Sequence, residues 1–344
     1  MLEDNIYSGG ILLFLETTCF FLWVLCWAMY ITMDGFDLGC GMLLPFLGKK
    51  DQEKLILKTT GPLWAGNEIW LLVMGVIPYF VFPLVYRVLV SAFEVIILLI
   101  LIFLFIRGLI FIIPWGSTHQ PGSKIRIIIY FVCSVGPCFL FGLVFANIFR
   151  GLAIGQSGIY HGSYQKLVNI YGLWGGLLFL ILCLEHGALW WAMKTEGWLK
   201  TRAVEIANML WPPVLVVIIV FLIGSRFSTF LYDNYLVHPC LFILLALTIL
   251  SVSGIKLFLS SSSYKRAWLS SCCTLVGIIF FCFGGHYPNL LHSSIHYGYN
   301  LTVHNAASEP RFLQILLMIA ILFLPLMTGY QLWALKVFIG PKSH

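Results

Sequence analysis

Residues 88–112, VLVSAFEVIILLILIFLFIRGLIFI, carry only two charges, Glu94 and Arg107. A helix needs about 20 apolar residues to cross roughly 30 Å of hydrocarbon. A run this long and this apolar makes the chain an integral membrane protein. Eight further runs of the same kind lie at roughly 10–32, 62–84, 127–149, 171–193, 208–224, 239–259, 267–284 and 312–337. The predicted fold is therefore all-α, with nine transmembrane helices in one membrane domain spanning 1–344. The sixth and eighth runs are short. The first does not read as a cleaved signal peptide. It lacks a basic n-region, contains Glu16 and runs on into Asp34 and Asp37.

Composition agrees. The 344 residues are 60% hydrophobic and 10% charged, against about 25% charged in an ordinary soluble domain. So much apolar side chain excludes disorder, and the 16% aromatic content suits interfacial anchoring. The net charge of +6 is spread over many loops and implies no nucleic-acid partner. Nine of the ten cysteines lie in apolar stretches, where cysteine behaves as a small hydrophobe. Neither a disulfide scaffold nor a paired metal motif is expected.

The 20 Lys and Arg residues sort by face. Fifteen, from Lys49 to Lys342, fall on the face of the first loop, and five on the other: Arg87, Arg150, Lys166, Arg226 and Arg311. The positive-inside rule then places the N-terminus outside and the C-terminus in the cytoplasm. Two loops are longer than the rest. One is the basic segment 33–61. The other, about 285–311, holds His286, His292, His296 and His304, whose spacing matches no tight metal motif. That loop reads as ordinary interfacial polar chain.

A charge in hydrocarbon is costly, so each one needs a reason. Glu16, Glu68, Glu94, Glu185 and Arg107 fall in or at the edge of spans, and Asp34 and Asp37 at the end of the first. An isolated acid in apolar surroundings can take up a proton and serve as silent glue between helices. Three polar clusters stand out. The first is MDGFDLGCGML at 33–43, whose glycines either loosen a helix end or admit another helix. Its two acids, three apart, share a face if helical. The second is GPLWAGNEIW at 61–70, with Pro62 suited to a first helical turn, Asn67 and Glu68 inside the span, and Trp64 and Trp70 suited to an interfacial belt. The third begins at Glu185 with HGALWWAMKTEG at 186–197. His186 there suits a haem or metal ligand, or a buried histidine hydrogen-bonded to Glu185 or another neighbour. Asp37 and Glu68, in glycine-bearing polar clusters near one face, are the first choices for handling protons.

These three motifs, in this order over nearly the whole chain, resemble subunit II of the cytochrome bd family of quinol oxidases. The resemblance implies two four-helix bundles, 10–150 and 171–285, and an additional helix at 312–337. It implies a larger partner, subunit I, that holds haem b and haem d and oxidises quinol, with dioxygen as the other substrate. Small single-span accessory subunits belong to that expectation. So does a bacterial or archaeal cytoplasmic membrane. This chain would hold no haem wholly by itself, stabilise subunit I and help proton uptake from the cytoplasm. A quinone or lipid could occupy it without any motif to mark the place. Asp34, Asp37, Trp64, Asn67, Glu68 and Arg107 would be family-motif or polar intramembrane positions. Two features depart from the family. Ala65 stands where many members carry an acid in a proton route, with Glu68 one turn on. The stretch LIFIIP at 109–114 is apolar where many members are charged. The resemblance assigns no role to Glu94, which lies inside the third span. A proton-coupled secondary transporter also carries intramembrane acids and broken helices, and a purely structural subunit would use the acids only as glue.

Overall fold

The first helix, α1, runs unbroken from Leu2 to Leu43 and passes into a short 3-10 turn at Leu44–Leu47. The structure, a computed structural model, describes residues 2–47, 50–112 and 122–339. The predicted end of the first span near 32, and the loop expected over 33–61, are therefore corrected. The glycines of 33–41 do not loosen the helix. A Cβ on Gly39 would run into the carbonyl of Cys183, and one on Gly187 into the backbone of Gly39 and Cys40. Small residues here let two helix backbones touch, as they do in membrane bundles.

The second helix, α2, spans Lys50–Val81 and contains Pro62 well past its first turn, which corrects the expected helix start there. Only Phe82 separates it from α3, Pro83–Ile112, which bends at Phe93 (φ −114°, ψ 16°). Then come α4 (Gly122–Arg150), the single turn α5 (Tyr164–Leu167) and α6 (Ile170–Lys194). The seventh helix, α7, covers Gly197–Ser228 and is longer than its apolar run. Its first half is polar, with an Arg202–Glu205 pair and Asn208 bonding back to Val204, so hydropathy alone missed it. A short α8 (Leu231–Val237) leads to α9 (Phe242–Ser260) and α10 (Tyr264–His286). A small antiparallel hairpin, β1 (Asn289–Leu291) and β2 (Leu301–Thr302), precedes α11 (Pro310–Ile339).

Among the described residues nine helices are long and apolar enough to cross a membrane, from Gly10–Leu47 to Pro310–Val337. This is a multi-pass membrane protein. Its outer faces are apolar, with Leu98, Phe105, Leu250 and Ile321 exposed as a lipid-facing surface requires. The helix α1 lies at the centre and touches α2, α4, α6, α10 and α11. Beside it, α3 packs on α2 and α4, α7 on α6, and α9 on α10. Aromatic rings fill the core. Trp190 stacks on Phe36 at 4.3 Å between centroids, and Trp70 is 1% exposed, so it is a core residue and not an interfacial one. Of the cations counted for orientation, Lys49, Lys342 and the side chains of Lys50, Lys54 and Lys58 lie outside the described residues. So do residues 113–121, which include the end of the LIFIIP stretch.

Candidate functional site

Arg107, near the end of α3, is wholly buried. Its Nη1 donates to both carboxylate oxygens of Asp34, at 3.1 and 3.3 Å. Its Nη2 lies 2.6 Å from Asp37 Oδ2. Glu68, from α2, is the third acid, with Oε1 3.8 Å from Nη1. The three-residue spacing of Asp34 and Asp37 turns both toward α3 on one face of α1. Two tyrosines complete the shell. The Tyr30 hydroxyl donates to Asp34 Oδ2 and the Tyr130 hydroxyl to Asp37 Oδ1, each at 3.1 Å. Tyr130 also lays its ring 5.9 Å from the guanidinium carbon. Asn67 holds the next position on α2, donating to the Met33 carbonyl at 2.9 Å and accepting from Gln331 of α11 at 2.8 Å. The half-buried ring of Trp64 packs where a Cβ on Gly108 would stand.

One guanidinium therefore faces three acids in a place shielded from water. Full ionisation would leave two negative charges uncompensated, which low-dielectric surroundings oppose. The acids are not held equally. Asp34 and Asp37 are 0% exposed and held at hydrogen-bonding range. Glu68 is 19% exposed at its side chain and sits at the outer limit of ion-pairing distance. The structure thus brings Asp34, Asp37, Glu68 and Arg107 together, with Asn67 and Trp64 beside them.

The remaining candidates lie elsewhere. Glu94 is exposed beside the bend at Phe93, 3.5 Å from the Tyr164 hydroxyl, and thirteen residues or about 20 Å along α3 from Arg107. It is not part of the cluster. Glu185 is 1% exposed and its Oε1 has no hydrogen-bond partner among the described residues. Both ring nitrogens of His186 are taken, Nδ1 by the Ser271 hydroxyl and Nε2 by the Thr32 carbonyl, and Glu185 is not its partner. The ring lies parallel to Trp268. That arrangement does not fit an axial haem ligand, and it corrects the metal reading of His186. Among the described residues no group of three or more His, Cys, Asp or Glu is placed to hold a metal ion. On the histidine-bearing side, His304 Nδ1 pairs with Glu16 at 2.7 Å, and His286 and His292 meet edge to face at 4.8 Å. An apolar cavity of about 250 Å³ opens between α6, α7, α9 and α10, with Leu178, Phe221, Val252 and Phe281 in its wall.

Tyr30, Tyr130 and Gln331 were not anticipated. Gln331 is an amide inside an apolar run, and Tyr30 stands one turn before Asp34, so both could have been flagged. Nothing in the sequence ties Tyr130 to Asp37, because 93 residues separate them.

The comparisons with known proteins agree with this picture. The family model described as cytochrome bd terminal oxidase subunit II matches residues 15–338. The chain is 29% identical to "Cytochrome bd ubiquinol oxidase subunit 2" of Bacillus subtilis, over 92% of this chain and 93% of that one. It is 26% identical to "Cytochrome bd-I ubiquinol oxidase subunit 2" of Escherichia coli K12, with the same two coverages. Its fold is similar to a chain in a structure of bd oxidase from Geobacillus thermodenitrificans. There the TM-score is 0.77 at 18% identity, covering 94% of this chain and 98% of the other.

Proposed function

The chain belongs to the cytochrome bd terminal oxidase subunit II family, and from that premise we propose how its buried acids serve the complex. As the haem-free subunit it stabilises subunit I, which holds haem b and haem d, and it carries protons toward them. Quinol is oxidised to quinone and gives up its protons on the outer side. Dioxygen is reduced to water with protons drawn from the cytoplasm. Haem supplies the electron chemistry, which side chains cannot. The relatives named as ubiquinol oxidases support quinol as the donor.

The observation that carries the proton role is the unequal grip on three acids around one buried arginine. Arg107 keeps its charge at all working pH. Asp34 and Asp37 neutralise and orient it. Glu68, loosely held and partly exposed, is the acid free to pick up a proton and present it to the cluster, with Asp37 next in line. No carboxylate can act at Ala65, which lies exposed on α2. Glu68, three residues on, presents its acid inward.

The distribution of Lys and Arg supports an N-terminus outside and a C-terminus in the cytoplasm, with the Arg107 cluster nearer the cytoplasmic side. The family resemblance implies two four-helix units at 10–150 and 171–285, with 312–337 added, and in that division α1 and α4 of the first unit pack on α6 of the second. Small single-span subunits would find apolar outer faces to sit on. Purification of this chain with its partners, followed by a reduced-minus-oxidised haem spectrum and quinol-driven oxygen consumption, tests the assignment. The expected result is a larger haem-bearing partner and oxygen uptake. No haem and no partner would contradict it.

A further inference from the structure

A polar cavity of about 460 Å³ lies at the end of the bundle away from Arg107, where α4 ends and α6 begins. Asn147, Arg150, Tyr160, Gln165, Lys166 and Asn169 line it. No acid lines it, and among the described residues neither Arg150 nor Lys166 has a carboxylate within ion-pairing distance. These are two of only five cations on that face. A face otherwise poor in positive charge has placed two of its cations around one cavity.

The walls are built, not loose. Asn147 donates to the Leu167 carbonyl at 2.9 Å and accepts from Asn169 at 2.8 Å, while Asn169 caps α6 through the Gly172 N–H at 2.9 Å. Gly151, at φ +98°, turns the chain sharply after Arg150. The segment that follows is tied to the histidine-bearing loop by Leu152 N–H to the His292 carbonyl and Ser294 N–H to the Leu152 carbonyl, at 2.9 and 2.8 Å. A Cβ on Gly162 would collide with the Tyr160 hydroxyl, so glycine keeps the cavity wall thin there. The Asn147 and Asn169 amides are already satisfied within the wall, which leaves Arg150 and Lys166 as the charged groups that face the cavity. The lip of the cavity is apolar, with Val168 63% and Ile170 77% exposed just where a span starts.

Two unpaired cations at a span end, beside an apolar lip, match a phosphate that carries acyl chains. We propose that this cavity binds the headgroup of an anionic phospholipid, with Arg150 and Lys166 meeting the phosphate and the chains lying over Val168 and Ile170. The guanidinium offers a two-pronged donor set to phosphate oxygens and the ammonium a point charge. This inference needs only the membrane reading, not the proton role of Glu68.

The test uses the detergent-solubilised, delipidated oxidase complex, titrated with dioleoylphosphatidylglycerol and read by native mass spectrometry. The wild-type complex is expected to retain one more phosphatidylglycerol than the Arg150→Gln/Lys166→Gln variant. Dioleoylphosphatidylcholine, with the same chains and no net charge, should not replace it, and millimolar inorganic phosphate should not displace it. Lys166→Gln alone, a change on an exposed side chain, should weaken retention roughly tenfold. Arg150→Lys/Lys166→Arg should retain the lipid. Equal retention by wild type and Lys166→Gln would overturn the proposal, as would equal uptake of phosphatidylcholine. Full displacement by inorganic phosphate would also overturn it, by assigning the cavity to a soluble anion.

Discussion

Asp34 and Asp37, toward one end of α1, face an arginine with no exposed surface, whereas Glu16 faces His304, which is 44% exposed at its side chain. Glu16 lies eighteen residues before Asp34, so about 27 Å of the same helix separates the two sites. One helix thus carries two kinds of buried acid. Near Arg107 the countercharge is permanent and the acids outnumber it. Near His304 there is one acid and one partner whose charge depends on its own protonation. The first arrangement can hold a proton among several acids without losing the ion pairs that anchor the helices. The second can only fasten a loop to α1, and it is the weaker link.

The largest effect should come from removing the permanent charge. Arg107→Met leaves three acids facing one another without a cation, and breaking such a buried set costs about 3–5 kcal/mol. The complex should lose most of its co-purifying haem, measured by the haem spectrum per subunit. A wild-type melting temperature in this variant would break the comparison, because the two ends of α1 would then be equally dispensable.

Glycines on the same helix give the next contrast. Gly39→Ala drives a methyl group into the Cys183 carbonyl, whereas a Cβ on Gly10 meets nothing within 4 Å. The first should destabilise by about 1–3 kcal/mol. The second should be neutral or slightly stabilising, by up to about 1 kcal/mol. Thermal unfolding of the purified complex separates them. Equal losses would mean that the close crossing of α1 and α6 does not hold that end together.

Much of this was legible in the sequence. Nine apolar runs gave the spans, and scarcity of charge singled out Arg107, Asp34, Asp37 and Glu68. The unread part has physical causes. Hydropathy sees Asp34 and Asp37 as the end of a span, but both pair with the buried Arg107 and α1 continues to Leu43. Glu94 does lie inside the span Pro83–Ile110, as its apolar neighbours imply, but spacing cannot reveal that it faces outward beside the bend at Phe93, away from Arg107. His186 looked like a ligand because spacing cannot reveal that Ser271 and Thr32 occupy its ring. Contacts between distant spans, such as Tyr130 with Asp37 or Gln331 with Asn67, leave no trace in local pattern.

Smaller effects belong to the histidine-bearing end. Glu16→Gln should cost about 1 kcal/mol or less, because one partner is exposed. Hydrogen exchange over 301–306 should quicken while the haem spectrum stays unchanged. Loss of haem in this variant would erase the distinction between the two ends. The smallest effect is a pH dependence in the same loop. Burial holds His292 below its ordinary value of about 6.5, with Asp233 partly opposing. His292 is therefore neutral in the folded loop, and its contribution is fully present above about 6.5. That contribution is lost as pH falls through 6.5 toward the lower folded value, because the unfolded loop binds the proton first. Exchange over 289–302, corrected for intrinsic rates, should be faster at pH 5.5 than at 7.5, and His292→Gln should flatten the difference. Unchanged protection at pH 5.5 would show that His292 does not contribute.

The central claim is that Glu68 moves protons while Asp34 and Asp37 hold Arg107. Glu68→Gln keeps the shape of the side chain and removes the proton it can give up. Quinol-driven oxygen consumption by the purified complex, normalised to haem content, is predicted to fall roughly tenfold, with assembly and the haem spectrum intact. Wild-type turnover in a fully assembled Glu68→Gln complex would contradict the account.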